Sequence, residues 1–291
     1  MTARQVKILP AFLLVFLLAL PVFAAEDMQE KLFTAAGKGD IATVNDLLTR
    51  KPNLKAKNAD GDTVLNVACA AGHGLVIRAL VSAGAGVNAK GGKLEMTPLM
   101  LVSLQGLHEL AGFLLDQGAK INAGNVHGQT ALYMAVYRGH QQTVLLLLSR
   151  GADANEADRQ DQTPLLLACQ AGHSYIVKLL LDKKADPNRA GGEDELTPLM
   201  AAADRGYDDI MEMLLAAGAK VEKPDAYGMT ALMYAARSGR LEACRLLLLQ
   251  GANFDKKDDE GLSAIGYAAQ NGHGDVVKLM LSGNIRSRPK R

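Results

Sequence analysis

A chain of 291 residues that sets 32 Lys and Arg against 31 Asp and Glu has a formal charge of +1 at pH 7, so no global field draws it to nucleic acid. Aromatic residues make up 4% of it and Trp is missing, which removes the stacking platforms on which single strands and sugars are held.

The chain opens on a targeting pattern. Arg4 and Lys7 precede an apolar run from Ile8 to Ala25, interrupted by Pro10 and Pro21, and Val22-Phe23-Ala24 places small residues where a signal peptidase reads. The pattern predicts a secretory signal peptide over 1–24, cleaved after Ala24. An uncleaved anchor is the rival, because the 18 residues of that run just reach spanning length; Pro21 and the small residues after it favour cleavage. No second apolar stretch of that length follows, and no lipid-acceptor cysteine lies after the site. Without Arg4 and Lys7 the mature chain keeps 30 basic against 31 acidic residues, a charge of −1. The expected location is periplasmic or secreted.

Between 25 and 57, the segment Glu30 to Leu48 sets Leu32, Phe33, Ala35, Ala36, Ile41, Val44, Leu47 and Leu48 in a two-helix register. It is expected to cap the stack that follows, since an open row of hairpins exposes apolar surface at its ends.

From 58 to 282 one phrase recurs. Thr163-Pro164-Leu165 with Ala168, Gly172-His173 and Leu180-Leu181 returns in variant form, so that Thr63, Thr97, Thr130, Thr163, Thr197, Thr230 and Ser263 follow one another at 34, 33, 33, 34, 33 and 33 residues. A fixed period of this length marks a repeat architecture. Nine residues after each stands a glycine (Gly72, Gly106, Gly139, Gly172, Gly206, Gly239, Gly272), and His73, His140, His173 and His273 follow four of them. The hydroxyl residue predicts a helix N-cap, and Pro164 suits a first helical position because its missing N–H has no partner to lose. Gly172 closes that helix in the left-handed conformation. Ile176, Val177, Leu179, Leu180 and Leu181 then predict a second helix over Tyr175 to Asp182, and Gly151-Ala152 and its equivalents Gly84-Ala85, Gly118-Ala119, Gly218-Ala219 and Gly251-Ala252 stop the second helix of their repeats. One such hairpin cannot bury its apolar side alone, so each depends on its neighbours.

With these residues in seven in-register copies, the chain resembles an ankyrin-repeat protein. The resemblance implies an all-α solenoid of stacked helix-turn-helix hairpins with short β-turn fingers, in which 58–282 holds seven ankyrin repeats and 25–57 an ankyrin-like cap. The last repeat departs from the pattern at Ser263-Ala264-Ile265. Beyond it, 283–291 is expected to be a disordered basic tail, with Arg286, Arg288, Lys290 and Arg291 in solvent rather than on a membrane.

A longer period overlies the short one. Cys69 and Cys169, Thr97 to Met100 and Thr197 to Met200, and the pairs Gly91-Gly92 and Gly191-Gly192 are each 100 residues apart, which points to duplication of a three-repeat block. The single-residue insertions before Thr97 and Thr197 fall in fingers, where length change is tolerated. Cys69 and Cys169, three repeats apart, stand on the order of 30 Å from each other and cannot be bridged; Cys244 takes a core position. All three read as buried free thiols. His73, His140, His173 and His273 share one structural site per repeat, and His108 and His127 are isolated, so the histidines do not converge on a metal. Each of the four is expected to bond backbone at the turn between its own two helices, and the sequence holds no HExxH, CxxC, P-loop or GxSxG pattern.

In ankyrin-repeat proteins partners sit against the fingers and the inner side of the first helices, and the resemblance carries that role to matching positions here. They are Met96, Leu196, Met229 and Leu262 just before the Thr; His127, Arg159 and Tyr227 at finger tips; and Tyr137, Arg138, Arg205 and Arg237 on the first helices. Tyr, Arg and Met are enriched at interfaces, whereas the four apolar finger residues have the alternative of packing against an adjacent finger. The reading is a monomeric, non-enzymatic scaffold for a protein partner, with no cofactor, metal, small-molecule substrate or nucleic acid, and membrane contact only through an uncleaved signal. Alternatives are a secreted effector or inhibitor acting on a protein outside the producing cell, a membrane-tethered adaptor, and an enzyme with an unrecognised site.

Overall fold

The computed structural model describes residues 27–282; the signal reading over 1–24 and the tail reading over 283–291 lie outside them. The described residues form sixteen helices and no strand, with only isolated β-bridges between them, as the repeat pattern predicts. They run in pairs: α1 (27–38) with α2 (Ile41–Thr49), α3 (Val64–Ala71) with α4 (Gly74–Ser82), α5 (Pro98–Leu104) with α6 (His108–Asp116), α7 (Ala131–Tyr137) with α8 (Gln141–Ser149), α9 (Pro164–Ala171) with α10 (Ser174–Asp182), α11 (Pro198–Arg205) with α12 (Asp208–Ala216), α13 (Ala231–Arg237) with α14 (Leu241–Leu249), and α15 (Ala264–Gln270) with α16 (Gly274–Ser282). They fall into two compact units. One holds residues up to Leu101 with Gln117–Ala119, and the other Val102–Asp116 with the chain from Lys120 onward.

The first helix of each pair starts where the sequence places its cap. Thr130, Thr163 and Thr197 accept the backbone amides of Tyr133, Leu166 and Met200 at 3.2, 3.1 and 3.2 Å, each satisfying a donor that has no intrahelical partner. The helix α9 ends on Gly172 at φ 72°. Outer helices turn one side inward: Ile176, Val177 and Leu180 of α10 and Leu247 of α14 are fully buried. Cys69, Cys169 and Cys244 are buried free thiols. Burial raises all three above the ordinary thiol range, Cys244 to about 12, so none is a ready nucleophile.

Two polar ladders join successive repeats within the units. The first uses the residue after the turn glycine. In the first unit His73 Nε2 lies 3.1 Å from the Gly37 carbonyl; in the second, His140 and His273 reach the Leu104 and Arg237 carbonyls at 3.0 and 3.1 Å. Arg240 takes the same place and donates Nε–H to the Asp204 carbonyl at 3.1 Å. The acceptor therefore belongs to the turn of the preceding repeat, not to the histidine's own turn as expected. The geometry also explains the glycines: a Cβ on Gly139 would come within 2.9 Å of the His173 ring, and one on Gly239 within 2.5 Å of His273. These turns need a residue that is both left-handed and without a side chain.

The second ladder follows the outer helices. In the second unit the side chains of Asn122, Asn155, Asn188 and Glu222 accept the amides of Asp153, Asp186, Lys220 and Asn253 from the next repeat at 3.0, 2.8, 2.7 and 2.8 Å. Asn155 and Asn188 also donate Nδ2–H to the carbonyls of Lys184 and Gly218 at 3.2 and 3.0 Å. Arg189, Lys223 and Lys256 complete the last three of these rungs by donating to the carbonyls of Asn155, Asn188 and Glu222 at 2.8, 2.7 and 2.9 Å.

Leu180 and Leu145 test the stacking on one residue type, since both lie on outer helices but Leu180 is buried and Leu145 is 41% exposed. Urea unfolding should show Leu180→Ala losing about 2–5 kcal/mol and Leu145→Ala about 0.5 kcal/mol or less.

Candidate functional site

Five fingers are organised by one Asp or Asn placed five residues before the capping hydroxyl: Asn58, Asn125, Asp158, Asp225 and Asp258. Its Oδ1 accepts the amides two and four residues ahead. For Asp225 these are Tyr227 at 2.9 Å and Met229 at 2.8 Å; for Asp258 they are Glu260 at 3.1 Å and Leu262 at 2.9 Å. A short carboxylate or amide folding its own backbone in this way is an Asx turn. The second oxygens of Asp225 and Asp258 accept the phenol protons of Tyr234 at 2.7 Å and Tyr267 at 2.5 Å. The fixed five-residue offset of this Asp or Asn from the capping hydroxyl is the signal in the sequence that marks these fingers. The fingers lengthened by one residue lack this hub and close instead on backbone bridges, Gly91 with Met96 and Gly191 with Leu196, with Glu95 and Glu195 at φ 51° and 52°.

In the second unit the finger tips are tied by backbone hydrogen bonds. The carbonyls of His127, Gln160, Asp194 and Tyr227 accept the amides of Arg159, Gly192, Ala226 and Asp259 at 2.8, 2.8, 3.0 and 3.1 Å. His127, Arg159 and Tyr227 thus stand exposed on a pinned backbone. The Tyr227 hydroxyl donates to Asp194 at 3.0 Å, and that bond and charge raise its pKa.

On the first helices of the same unit, Tyr137 is 60% exposed, with the Arg138 guanidinium 6.0 Å from its ring centroid. Arg138 and Arg205 are exposed, while Arg237 is half-buried. Asp204 gathers the groups around it: Ser238 Oγ donates to it at 2.7 Å, and Arg237 and Arg205 approach at 3.7 and 3.9 Å. The Arg237 guanidinium lies 4.7 Å from the Tyr234 ring centroid. Tyr137 and Arg237 stand three helix spacings apart, roughly 25–30 Å, so the face is a strip of separate groups rather than one pocket.

Of the residues just before the capping hydroxyl, Met229 and, in the first unit, Met96 are buried rather than displayed, and Leu196 and Leu262 are half-buried. In the fingers of Met229 and Leu262 the Asx turn curls the chain so that this side chain faces its own helix. Leu262 illustrates it: its Cδ2 covers Gly266, so closely that a Cβ there would meet it at 2.9 Å. These four positions do not form an exposed apolar row.

Among the described residues no three His, Cys, Asp or Glu side chains are grouped to hold a metal, and no helix is long and apolar enough to cross a membrane. The model of the family described as "Ankyrin repeats (3 copies)" matches in overlapping segments, 32–125, 80–158, 122–190, 154–225 and 189–258. The chain belongs to the ankyrin-repeat family. Among its relatives, NF-kappa-B inhibitor cactus of Drosophila melanogaster is 44% identical over 71 residues, covering 24% of this chain and 14% of that protein. Dauer abnormal formation protein 25 of Caenorhabditis elegans is 29% identical over 119 residues, 41% of this chain and 31% of the relative. Palmitoyltransferase AKR1 of Kluyveromyces lactis is 31% identical over 111 residues, 37% of this chain and 15% of the enzyme. The ankyrin chain thus spans less than a third of the length of these curated relatives.

The finger hub makes this ankyrin fold sensitive to alkali. Burial, followed by the charge of Asp158, holds Tyr133 up at about 12; burial and the bond to Asp258 hold Tyr267 at about 12, and burial with Asp225 raises Tyr234 further. An unfolded tyrosine ionises near 10. The folded groups bind protons more tightly, so their stabilisation is whole below about pH 10 and is lost as pH rises through about 12. Equilibrium unfolding followed from pH 8 to 12 should show that decline, and Tyr234→Phe should flatten it.

Proposed function

We propose that this protein is a non-catalytic scaffold that binds a protein partner through the inner-helix face and finger tips of its second unit. The observation that carries the reading is the display of Tyr137, Arg138 and Arg205 in solvent along the same row of inner helices as an Arg237 already held by Asp204 and Tyr234. Tyr and Arg dominate binding energy at interfaces because each covers a large area and retains directional hydrogen bonding. A pre-held arginine loses less rotamer freedom on binding. Membership of a repeat family and partial similarity to a protein named as an inhibitor are consistent with a binding role. The relatives that are named as enzymes match over a small part of their length.

The working location in this proposal is the periplasm or the cell exterior, on the strength of Arg4, Lys7 and the apolar run ending at Ala25. Intact-mass measurement on protein from the native host should find a chain beginning at Ala25; a mass that includes residues 1–24 overturns export by a cleaved signal and makes the scaffold a tethered one.

Tyr137→Ala combined with Arg205→Ala tests the face, because neither side chain holds the fold. After crosslinking in the native host, a partner recovered by the wild type should be lost from the double variant. Affinity measured with that purified partner should fall about tenfold or more, while the thermal midpoint stays within about 2 °C. Equal binding by both proteins overturns the assignment of the face.

A further inference from the structure

The turn edge of the second unit's inner helices gathers cations around one carboxylate. Near the end of α11, Asp204 has the Arg205 Nε 3.9 Å from its Oδ2 and the Arg237 Nη2 3.7 Å from its Oδ1. Ser238 Oγ donates to it at 2.7 Å, and Arg240 donates Nε–H to its backbone carbonyl at 3.1 Å. Guanidinium groups from α11, α13 and the start of α14 therefore meet at one residue with a single negative charge, which leaves a local excess of two positive charges. Residues 283–291 hold no Asp or Glu, so they add no carboxylate to this cluster.

Arg205 and Arg240 are exposed and Arg237 is half-buried. Ion pairs in solvent at such separations are worth little, so Asp204 sets where the guanidiniums stand without neutralising them. Arg237 is held further by the Tyr234 ring and by Met229, whose Sδ lies 4.0 Å from its Nη1. The ladder rung uses the Nε–H of Arg240 and does not call on its terminal nitrogens. A guanidinium fork matches the two oxygens of a carboxylate. The fingers of the same unit carry the opposite sign, with Glu193, Asp194, Glu195, Asp259 and Glu260 all exposed, so an acidic chain is turned away from the tips and drawn to the turn edge. Arg138 continues the basic row two repeats away, roughly 20 Å, a span that a chain covers and a small anion does not.

We propose that the turn edge around Asp204 receives an acidic segment of the protein partner, whose carboxylates take Arg205, Arg237 and Arg240. This rests on the inner-helix face being the binding surface. Neighbouring rows stand about 8–10 Å apart and alternate residues of an extended segment about 7 Å apart, so two carboxylates of one segment engage two rows.

A nitrogen-15 NMR titration of the full chain with the peptide hexaglutamate, at about 20 mM salt to limit screening, tests it. The amides of 204–206 and 237–241 should shift and saturate, while hexaglutamine leaves them in place. Shifts that are absent, or spread evenly over the surface, overturn the proposal. Arg205→Glu should weaken the peptide about tenfold or more with a thermal midpoint within about 2 °C of wild type; if the midpoint falls further, Arg205→Gln is read in its place. Lys178→Gln combined with Lys278→Gln removes the same charge from exposed sites on α10 and α16 and should keep the affinity within about twofold. Equal loss in both proteins means attraction by net charge alone and overturns the site, and displacement of hexaglutamate by equimolar inorganic phosphate overturns its assignment to carboxylates. If the peptide fails while a crosslinked partner is still lost from the Tyr137→Ala and Arg205→Ala double variant, the face stands and the acidic occupant falls.

Discussion

A hairpin that ends its inner helix on a left-handed glycine leaves carbonyls with no helical partner, and in this molecule the next repeat supplies the donor. His140, Arg240 and His273 reach back to Leu104, Asp204 and Arg237. That one contact dictates much around it. The glycine must lack a Cβ where the donor's side chain lies against it, and His140, Arg240 and His273 are each long enough to reach and able to donate. A repeat removed from its neighbour would lose apolar cover and hydrogen-bond partners together, so stability is shared along each unit rather than held within a hairpin.

The elements legible in the sequence are those where one residue type meets one backbone rule. Thr caps, Pro follows the cap and Gly takes positive φ, and the structure places all three as read. What was not legible depends on direction in space. Nothing in the types of Met96 or Met229 says which way the finger turns them, and the turn that buries them is set by a bridge in one case and by Asp225 in the other. Histidine after glycine was read as bonding locally because sequence distance suggests a near acceptor, whereas stacking brings residues 36 positions apart within reach.

The fingers show how the polar inventory is divided. Asp225 satisfies two amides and a tyrosine hydroxyl, and Tyr227 gives its hydroxyl to Asp194. A side chain committed in this way gains rigidity and gives up hydrogen-bonding capacity toward a partner. The free capacity lies on Arg159 and His127 at the tips and on Tyr137, Arg138 and Arg205 along the helices.

The inner-helix ladder explains why that face can vary at all. The residues whose carbonyls accept the rungs, Leu104, Asp204 and Arg237, stand two places before the turn glycine, the register that Tyr137 and Gln170 occupy in their repeats. The carbonyl is the same whatever the side chain, so the stack is held by a group that substitution does not alter. Leu, Tyr, Gln, Asp and Arg follow one another at this register without disturbing the helices beneath them. Structure and recognition therefore use different atoms of the same residues, and a partner's specificity can be written on the face while the fold is held from its backbone.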